Sequence, residues 1–237
     1  MRNVIVTGAA SGIGAAVLDR AREQGWRAAG IDLSGSDFRA GDVHRADVTD
    51  AAQVRAAVSA IVDGWDGPPD AVVHCAGIYR TAPSVTVGAD DWERTMGVNA
   101  RGSFLVAQAA AAAMIAAGTP GSIVLLGSVG AGRGDLTEPG AAYAASKGAV
   151  SALVRQLAVE WGPVGIRVNS VVPGVIDTAM TTVTSDPAAT AALLARLPLR
   201  RLGDAREVAA ACLFLAGPDS SYITGSEITV DGGYLVS

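Results

Sequence analysis

Aromatic side chains make up only 5% of this 237-residue chain, which also holds just two cysteines and two histidines. So few aromatics, beside abundant alanine, valine and glycine, argue against an all-β sandwich and suit helices packed closely on a buried parallel sheet. Cys75 in "VVHCAG" and Cys212 in "AAACLFLA" sit in apolar surroundings and are read as inert core thiols, not as a disulfide or a nucleophile. His44 and His74 are too few and too isolated for a metal cluster, so no metal is expected. The net charge of −5 is scattered, and no basic stripe exists to neutralise phosphates, which excludes nucleic acid as a partner. Charge is missing altogether from Gly102 to Gly132. "GTPG" (Gly118–Gly121) breaks that stretch into a helix and a strand, neither of which alone fits a bilayer. "MRNVIVTGAA" carries no signal-peptide pattern, and a cytoplasmic protein with no membrane partner is expected.

What is present is alternation. Strand-length apolar runs at Asn3–Thr7, Arg27–Asp32, Arg45–Val48, Asp70–Gly77, Ser122–Ser128, Ile166–Gly174 and Ser226–Gly232 are interleaved with helical patterns. The helices fall at about Gly12–Gln24, from Ala51, at about Asp91–Ala117, and around Tyr143. Continuously apolar strands alternating with helices predict an α/β fold: a single-domain, Rossmann-type, doubly wound parallel sheet with helices on both faces, spanning residues 1–237. The connection between Asp32 and Asp47 is short, which suggests that a helix is missing there.

Ligands of such sheets bind at the carboxyl ends of the strands. "TGAASGIG" (Thr7–Gly14) lies where the first strand turns into a helix. Gly8, Gly12 and Gly14 permit a tight turn and close approach to a ligand, and the helix N-terminus offers free N–H groups to a pyrophosphate. No lysine follows, so this is not a triphosphate P-loop. Asp32 ends the second strand, where a carboxylate accepts from both hydroxyls of an adenosine ribose. In "GAAYAASKGAV", Tyr143 and Lys147 stand one helical turn apart and share a face. A cation there is expected to lower the phenol pKa from about 10 and make the tyrosine a usable proton shuttle. Ser128, at the end of the fifth strand, points a hydroxyl into the same crevice.

Together these motifs resemble the classical short-chain dehydrogenase/reductase family over essentially the whole chain. "TGAASGIG" is similar to its cofactor loop, "ADV" (Ala46–Val48) to its adenine-contacting strand end, and "HCAG" (His74–Gly77) to its N-N-A-G, with His74 and Cys75 in place of both asparagines. "VNARG" (Val98–Gly102) supplies Asn99, "YAASK" is the Y-x-x-x-K hallmark, and "PGVIDTAM" (Pro173–Met180) and "ITGSEITVDGG" (Ile223–Gly233) match its later segments. The Ser128–Tyr143 interval is two residues longer than the commonest spacing.

The resemblance implies catalysis by Asn99, Ser128, Tyr143 and Lys147. Tyr143 would be the general acid/base, Lys147 would lower its pKa and bind the nicotinamide ribose, Ser128 would hold the substrate oxygen, and Asn99 a water linked to Lys147. It also implies that a dinucleotide lies against Gly8, Ser11, Gly12, Ile13, Gly14, Asp32, Leu33, Asp47, Val48, Ala76, Gly77, Tyr143, Lys147, Pro173, Gly174, Ile176 and Thr178. With Asp32 and no downstream cation closer than Arg39, NAD(H) is expected over NADP(H).

The expected activity is hydride transfer between a secondary alcohol, or dihydrodiol, and a ketone. Dihydroxybenzoate-type dihydrodiol dehydrogenases and 3-oxoacyl, sugar or steroid reductases are the alternatives; a non-catalytic dinucleotide sensor is the alternative of another class. Tyr79–Arg80, Val129–Pro139 and residues 179–201, the last as a lid, should wall the pocket, with Arg80 or Arg133 available to a carboxylate. The apolar helices "SFLVAQAAAAAMIAAG" (Ser103–Gly118) and "AAYAASKGAVSALVRQLAVEW" (Ala141–Trp161) should pair across a twofold axis in a homotetramer or homodimer.

Overall fold

The computed structural model describes residues 1–34, 43–65, 67–134 and 138–237. Seven parallel strands form one sheet in the order β3-β2-β1-β4-β5-β6-β7. They are β1 (Asn3–Thr7), β2 (Arg27–Asp32), β3 (Val43–Arg45), β4 (Ala71–His74), β5 (Gly121–Leu126), β6 (Ile166–Pro173) and β7 (Glu227–Val230). The helices are α1 (Gly12–Glu23), α2 (Ala51–Trp65), α3 (Ala89–Met96), α4 (Gly102–Ala116), α5 (Ala141–Trp161), α6 (Pro187–Arg196) and α7 (Ala205–Ala216). The expected doubly wound sheet is therefore present.

The near-continuous apolar strands are explained by burial on both faces. Side chains alternate across a strand, so Ile5, Val72, Ile123 and Leu125 join one core with α2, α4 and α5. Their neighbours Val4, Val6, Val73 and Val124 join the opposite core with Val17 and Leu18 of α1 and Val208 and Leu215 of α7. Cys212 belongs to this second core, as expected of an inert thiol. No helix of the described residues is long and apolar enough to cross a membrane.

Several boundaries differ from expectation. The third strand lies at Val43–Arg45 rather than Arg45–Val48; Ala46 to Val48 leave it, with the Ala46 N–H still donating to the Asp32 carbonyl at 2.9 Å. The fourth ends at His74, three residues early, which frees Cys75–Gly77 as a loop at the carboxyl edge. The long helix expected over Asp91–Ala117 is interrupted by a π-helical turn at Gly97–Arg101. α6 and α7 were not anticipated. Yet α7 has a local signal: Asp204 and Glu207 form a capping box, side chain to backbone in both directions. The short Asp32–Asp47 connection runs through positions 35–42, outside the described residues.

Candidate active site

One cavity of about 1230 Å³ opens along the carboxyl ends of the central strands. That exceeds the ~300–1,000 Å³ of an ordinary small-molecule site and leaves room for a dinucleotide and a substrate together. It brings together Gly8, Ser11, Gly12, Ile13 and Gly14 with Asp32, Leu33, Asp47 and Val48. The same wall continues through Ala76, Gly77, Pro173, Gly174, Ile176 and Thr178 to Ser128, Tyr143 and Lys147. Of the expected catalytic and cofactor-binding residues, Asn99 alone stays off this wall.

The glycine loop is packed so tightly that side chains are excluded. Gly8 has φ +65°, and a Cβ there would lie 2.7 Å from the Ala76 nitrogen. A Cβ at Gly14 would collide with the Gly8 carbonyl oxygen. α1 thus begins directly against β1, and its N-cap Ser11 makes no side-chain capping bond, so the terminal N–H groups face the cavity unshielded. Asp32 closes the far side of the loop. Its Oδ2 accepts from the Ala10 N–H at 3.0 Å, and its Oδ1 from the Ser34 N–H and hydroxyl at 3.1 Å each. The Asp47 carboxylate accepts from the Thr49 N–H and hydroxyl, both at 2.8 Å, which fixes the turn carrying Val48.

At the reactive end, Lys147 is buried, and its ammonium donates to the Leu126 carbonyl at 2.8 Å. Burial pulls its pKa down to about 8, so it stays mostly protonated at neutral pH. The expectation that Lys147 acidifies Tyr143 is not met in this geometry. The Lys147 nitrogen is turned to Leu126 and lies 5.8 Å from the Tyr143 ring centre. Burial instead raises the Tyr143 phenol above its ordinary value, opposed by the hydrogen-bonding Ser128 hydroxyl. Ser128 Oγ also accepts from the Gly130 N–H at 3.1 Å, which holds it at the start of the following 3-10 turn.

Asn99 sits in the π turn, fully buried. Its Oδ1 accepts from the Ile78 N–H at 2.9 Å, while its Nδ2 donates to the Ile78 carbonyl at 2.9 Å and to Ser146 Oγ at 3.1 Å. The side chain therefore clamps the loop after β4 to α5. His74 and Cys75, standing where asparagines were expected, do not leave that strand end unsupported. His74 Nδ1 shares a 2.7 Å hydrogen bond with the Thr7 hydroxyl, which also accepts from the Ala76 N–H at 3.3 Å. Burial keeps both side chains neutral, lowering the His74 pKa to about 3 and raising the Cys75 thiol to about 12.

The substrate half of the cavity draws on the three expected wall segments and on Tyr234, which the sequence did not single out. Glu138 accepts from the Tyr79 hydroxyl at 2.7 Å and from the Thr182 hydroxyl at 3.2 Å. The Tyr79 ring meets Tyr143 edge-on, with centres 4.8 Å apart. Arg80 is committed to an exposed ion pair with Asp91 at 2.8 Å, whereas Arg133 does line the cavity, as do Arg196 and Tyr234. Among the described residues no cluster of metal-binding side chains occurs.

The family model described as enoyl-(acyl carrier protein) reductase matches residues 8–235. The (3R)-3-hydroxyacyl-CoA dehydrogenase of Canis lupus familiaris is 39% identical, over 97% of this chain and 94% of its own. The structure of Thermoplasma acidophilum aldohexose dehydrogenase superposes with a TM-score of 0.91 at 31% identity, covering 100% of this chain and 94% of that one. A 4-hydroxyisoleucine dehydrogenase complexed with NADH does so with a TM-score of 0.91 at 25% identity, over 100% of both chains.

The packing of the glycine loop is directly testable. Gly14→Ala should lower folding stability by about 2 kcal/mol or more, because its methyl group meets backbone rather than a side chain that can move. Chemical denaturation of both proteins measures this, and an unchanged midpoint would contradict the collision.

Proposed function

The chain belongs to the classical short-chain dehydrogenase/reductase family, and from that footing we propose that it is an NAD(H)-dependent oxidoreductase interconverting a secondary alcohol and a ketone, with Tyr143 as the acid/base. The observation that carries this reading is the meeting of Ser128, Tyr143 and Lys147 in the same cavity as the glycine loop and Asp32. Relatives named as dehydrogenases agree with it.

The residues fit a nicotinamide dinucleotide on chemical grounds. The backbone cradle at Gly8 and Gly14 admits no Cβ, the uncapped start of α1 suits a pyrophosphate, and Asp32 suits ribose hydroxyls. The Lys147 ammonium has three N–H donors and spends one on Leu126, so two remain for the second ribose. When bound, NAD(H) supplies or accepts the hydride.

The chain's own part is proton transfer and charge placement. For ketone reduction, the Tyr143 phenol gives its proton to the carbonyl oxygen while the Ser128 hydroxyl donates to the same oxygen and stabilises its growing charge. For alcohol oxidation, Tyr143 takes the proton as phenolate. With a cofactor bound, the Lys147 cation one turn along the helix would stabilise that phenolate. Asn99 acts at one remove, by fixing the loop after β4 against α5. We include residues 179–201 as a lid. α6 within it has no buried residue and rests on the rest of the protein through partly buried Leu193 and Leu194.

Assembly follows from exposed apolar surface. α4 is apolar or small around much of its circumference, Ile115 near its end is 47% exposed, and Val159 of α5 is 74% exposed. These helices are proposed to pair across a twofold axis.

Tyr143→Phe should lower kcat by at least about 10²-fold while NADH still binds, because a phenyl ring fills the space without an ionisable group. In the wild-type protein, alcohol oxidation should rise between about pH 7 and 9, since it needs the phenolate of a phenol whose pKa burial has raised; ketone reduction, which needs the phenol, should not rise. Steady-state rates in both directions decide, and a Phe variant retaining a tenth of kcat would remove Tyr143 from the mechanism.

Cofactor choice rests on the Asp32 charge. A 2′-phosphate in its place beside the ribose would meet a fixed carboxylate, so kcat/KM should favour NAD(H) by at least about tenfold, roughly 1.4 kcal/mol. Asp32→Ala should narrow that gap. Equal efficiency with both cofactors in the wild-type enzyme would refute the assignment.

Light scattering at about micromolar concentration should report a dimer or tetramer. A stable monomer would refute the pairing of α4 and α5.

A further inference from the structure

Arg133 and Arg196 reach the cavity from separate parts of the chain. Arg133 follows the 3-10 turn that begins at Ser128, and Arg196 is the last residue of α6. Both guanidinium groups rest against one ring, that of buried Tyr234, with carbon-to-centre distances of 5.1 and 5.6 Å. A ring face attracts a cation, but two cations drawn to the same ring repel each other. Among the described residues no carboxylate side chain pairs with either arginine. The ion pairs among the described residues join Arg80 to Asp91, Arg201 to Glu207 and Arg206 to Glu23. Glu138, which also lines the cavity, is held by the hydroxyls of Tyr79 and Thr182. Arg133 spends its Nη1 on the backbone oxygens of Tyr234 and Ser237, at 3.1 and 3.2 Å. That contact pins the guanidinium and leaves its other nitrogens to a ligand.

The strand order fixes where this pair stands relative to the chemistry. Tyr79, which holds Glu138, follows β4; Ser128 follows β5; Tyr234 follows β7. Glu138 bridges Tyr79 after β4 and Thr182 after β6, while Arg133 and Arg196 meet at Tyr234 after β7, all on the wall of the one cavity that holds Ser128 and Tyr143. A substrate whose carbinol carbon lies at Tyr143 therefore shares its cavity with the arginine pair.

We propose that Arg133 and Arg196, set against Tyr234, form an anion-reading subsite, and that the substrate is a hydroxy acid or the matching oxo acid whose acidic group they bind. The inference rests on Tyr143 marking the reacting end. Planar guanidinium groups suit the paired oxygens of a carboxylate and also those of a phosphate ester. An anion bridging both arginines cancels their mutual repulsion and ties α6 to the Ser128 turn. Binding the acid therefore also orients the substrate.

The test compares oxo acids of roughly four to seven carbons with their uncharged amides, and with acetol phosphate, using NADH as reductant. The amides keep size and shape and lose the charge. In the wild-type enzyme the best acid or phosphate should exceed its neutral counterpart in kcat/KM by at least about 30-fold, and in Arg196→Gln and Arg133→Gln the ratio should fall below about fivefold. A ratio taken within one variant cancels any general loss of active protein. A preference for the carboxylate series or for acetol phosphate identifies the acidic group, and either supports the subsite. Calorimetric binding of butanoate and butanamide to the protein with NADH reads the same contact without turnover. Tighter binding of the acid that is lost in both variants, with no ketone reduced, keeps the subsite and removes the proposed reaction. Acids that neither react nor bind better than amides at any chain length, or a preference that survives both substitutions, would overturn it.

Discussion

The bond from the Lys147 ammonium to the Leu126 carbonyl, 2.8 Å long and buried, sets the geometry on which the site depends. It joins α5 to the last residue of β5. Tyr143 lies one turn earlier on that helix, and Ser128 two residues beyond that strand. The two hydroxyls are therefore brought together by one strand–helix contact, in a register fixed by the cores on either face of the sheet. Burying an ammonium costs several kcal/mol unless hydrogen bonds compensate, and one carbonyl is a small compensation. The depressed pKa of about 8 records that tension. A ligand bearing hydroxyls would relieve it.

The surroundings hold charge to this one position. His74 and Cys75 are near enough to sense Lys147, yet burial keeps the imidazole and the thiol neutral. Tyr143 is likewise held as the phenol. A single buried cation beside a neutral acid is an arrangement ready to protonate a carbonyl, and to accept the proton back once the phenolate is stabilised. Outside this centre the cavity wall carries further charges, among them Asp32 beside the glycine loop and Glu138, Arg133 and Arg196 in the substrate half. This division gives each part its own selectivity.

Much of this was legible in the sequence because it is local. The strands announce themselves as apolar runs, and the glycine loop, Asp32 and the Tyr143–Lys147 spacing each sit within a few residues of one another. What escaped was long-range or competitive. The π turn depends on Asn99 clamping Ile78, 21 residues earlier in the chain. Tyr234 gains its meaning from arginines 101 and 38 positions away, and no local pattern signals that. The capping box of α7, Asp204 with Glu207, is by contrast a local and readable signal for the start of that helix. Where the Lys147 ammonium points was not legible, because helical spacing fixes which residues share a face, while the direction of a lysine's flexible end is decided by the nearest buried acceptor, here a β5 carbonyl.

The central claim is that a buried, neutral Tyr143 becomes a usable proton shuttle only when a bound cofactor completes the environment of Lys147. The direct measurement is an NMR titration of protein labelled with ¹³C at the tyrosine ring carbon bearing the hydroxyl, with Tyr143→Phe assigning the resonance. Without cofactor, Tyr143 should titrate above the ordinary tyrosine value, and with NAD⁺ bound its titration should move to lower pH. A Tyr143 pKa that is already depressed in the free protein, or one that NAD⁺ leaves unmoved, would contradict the account.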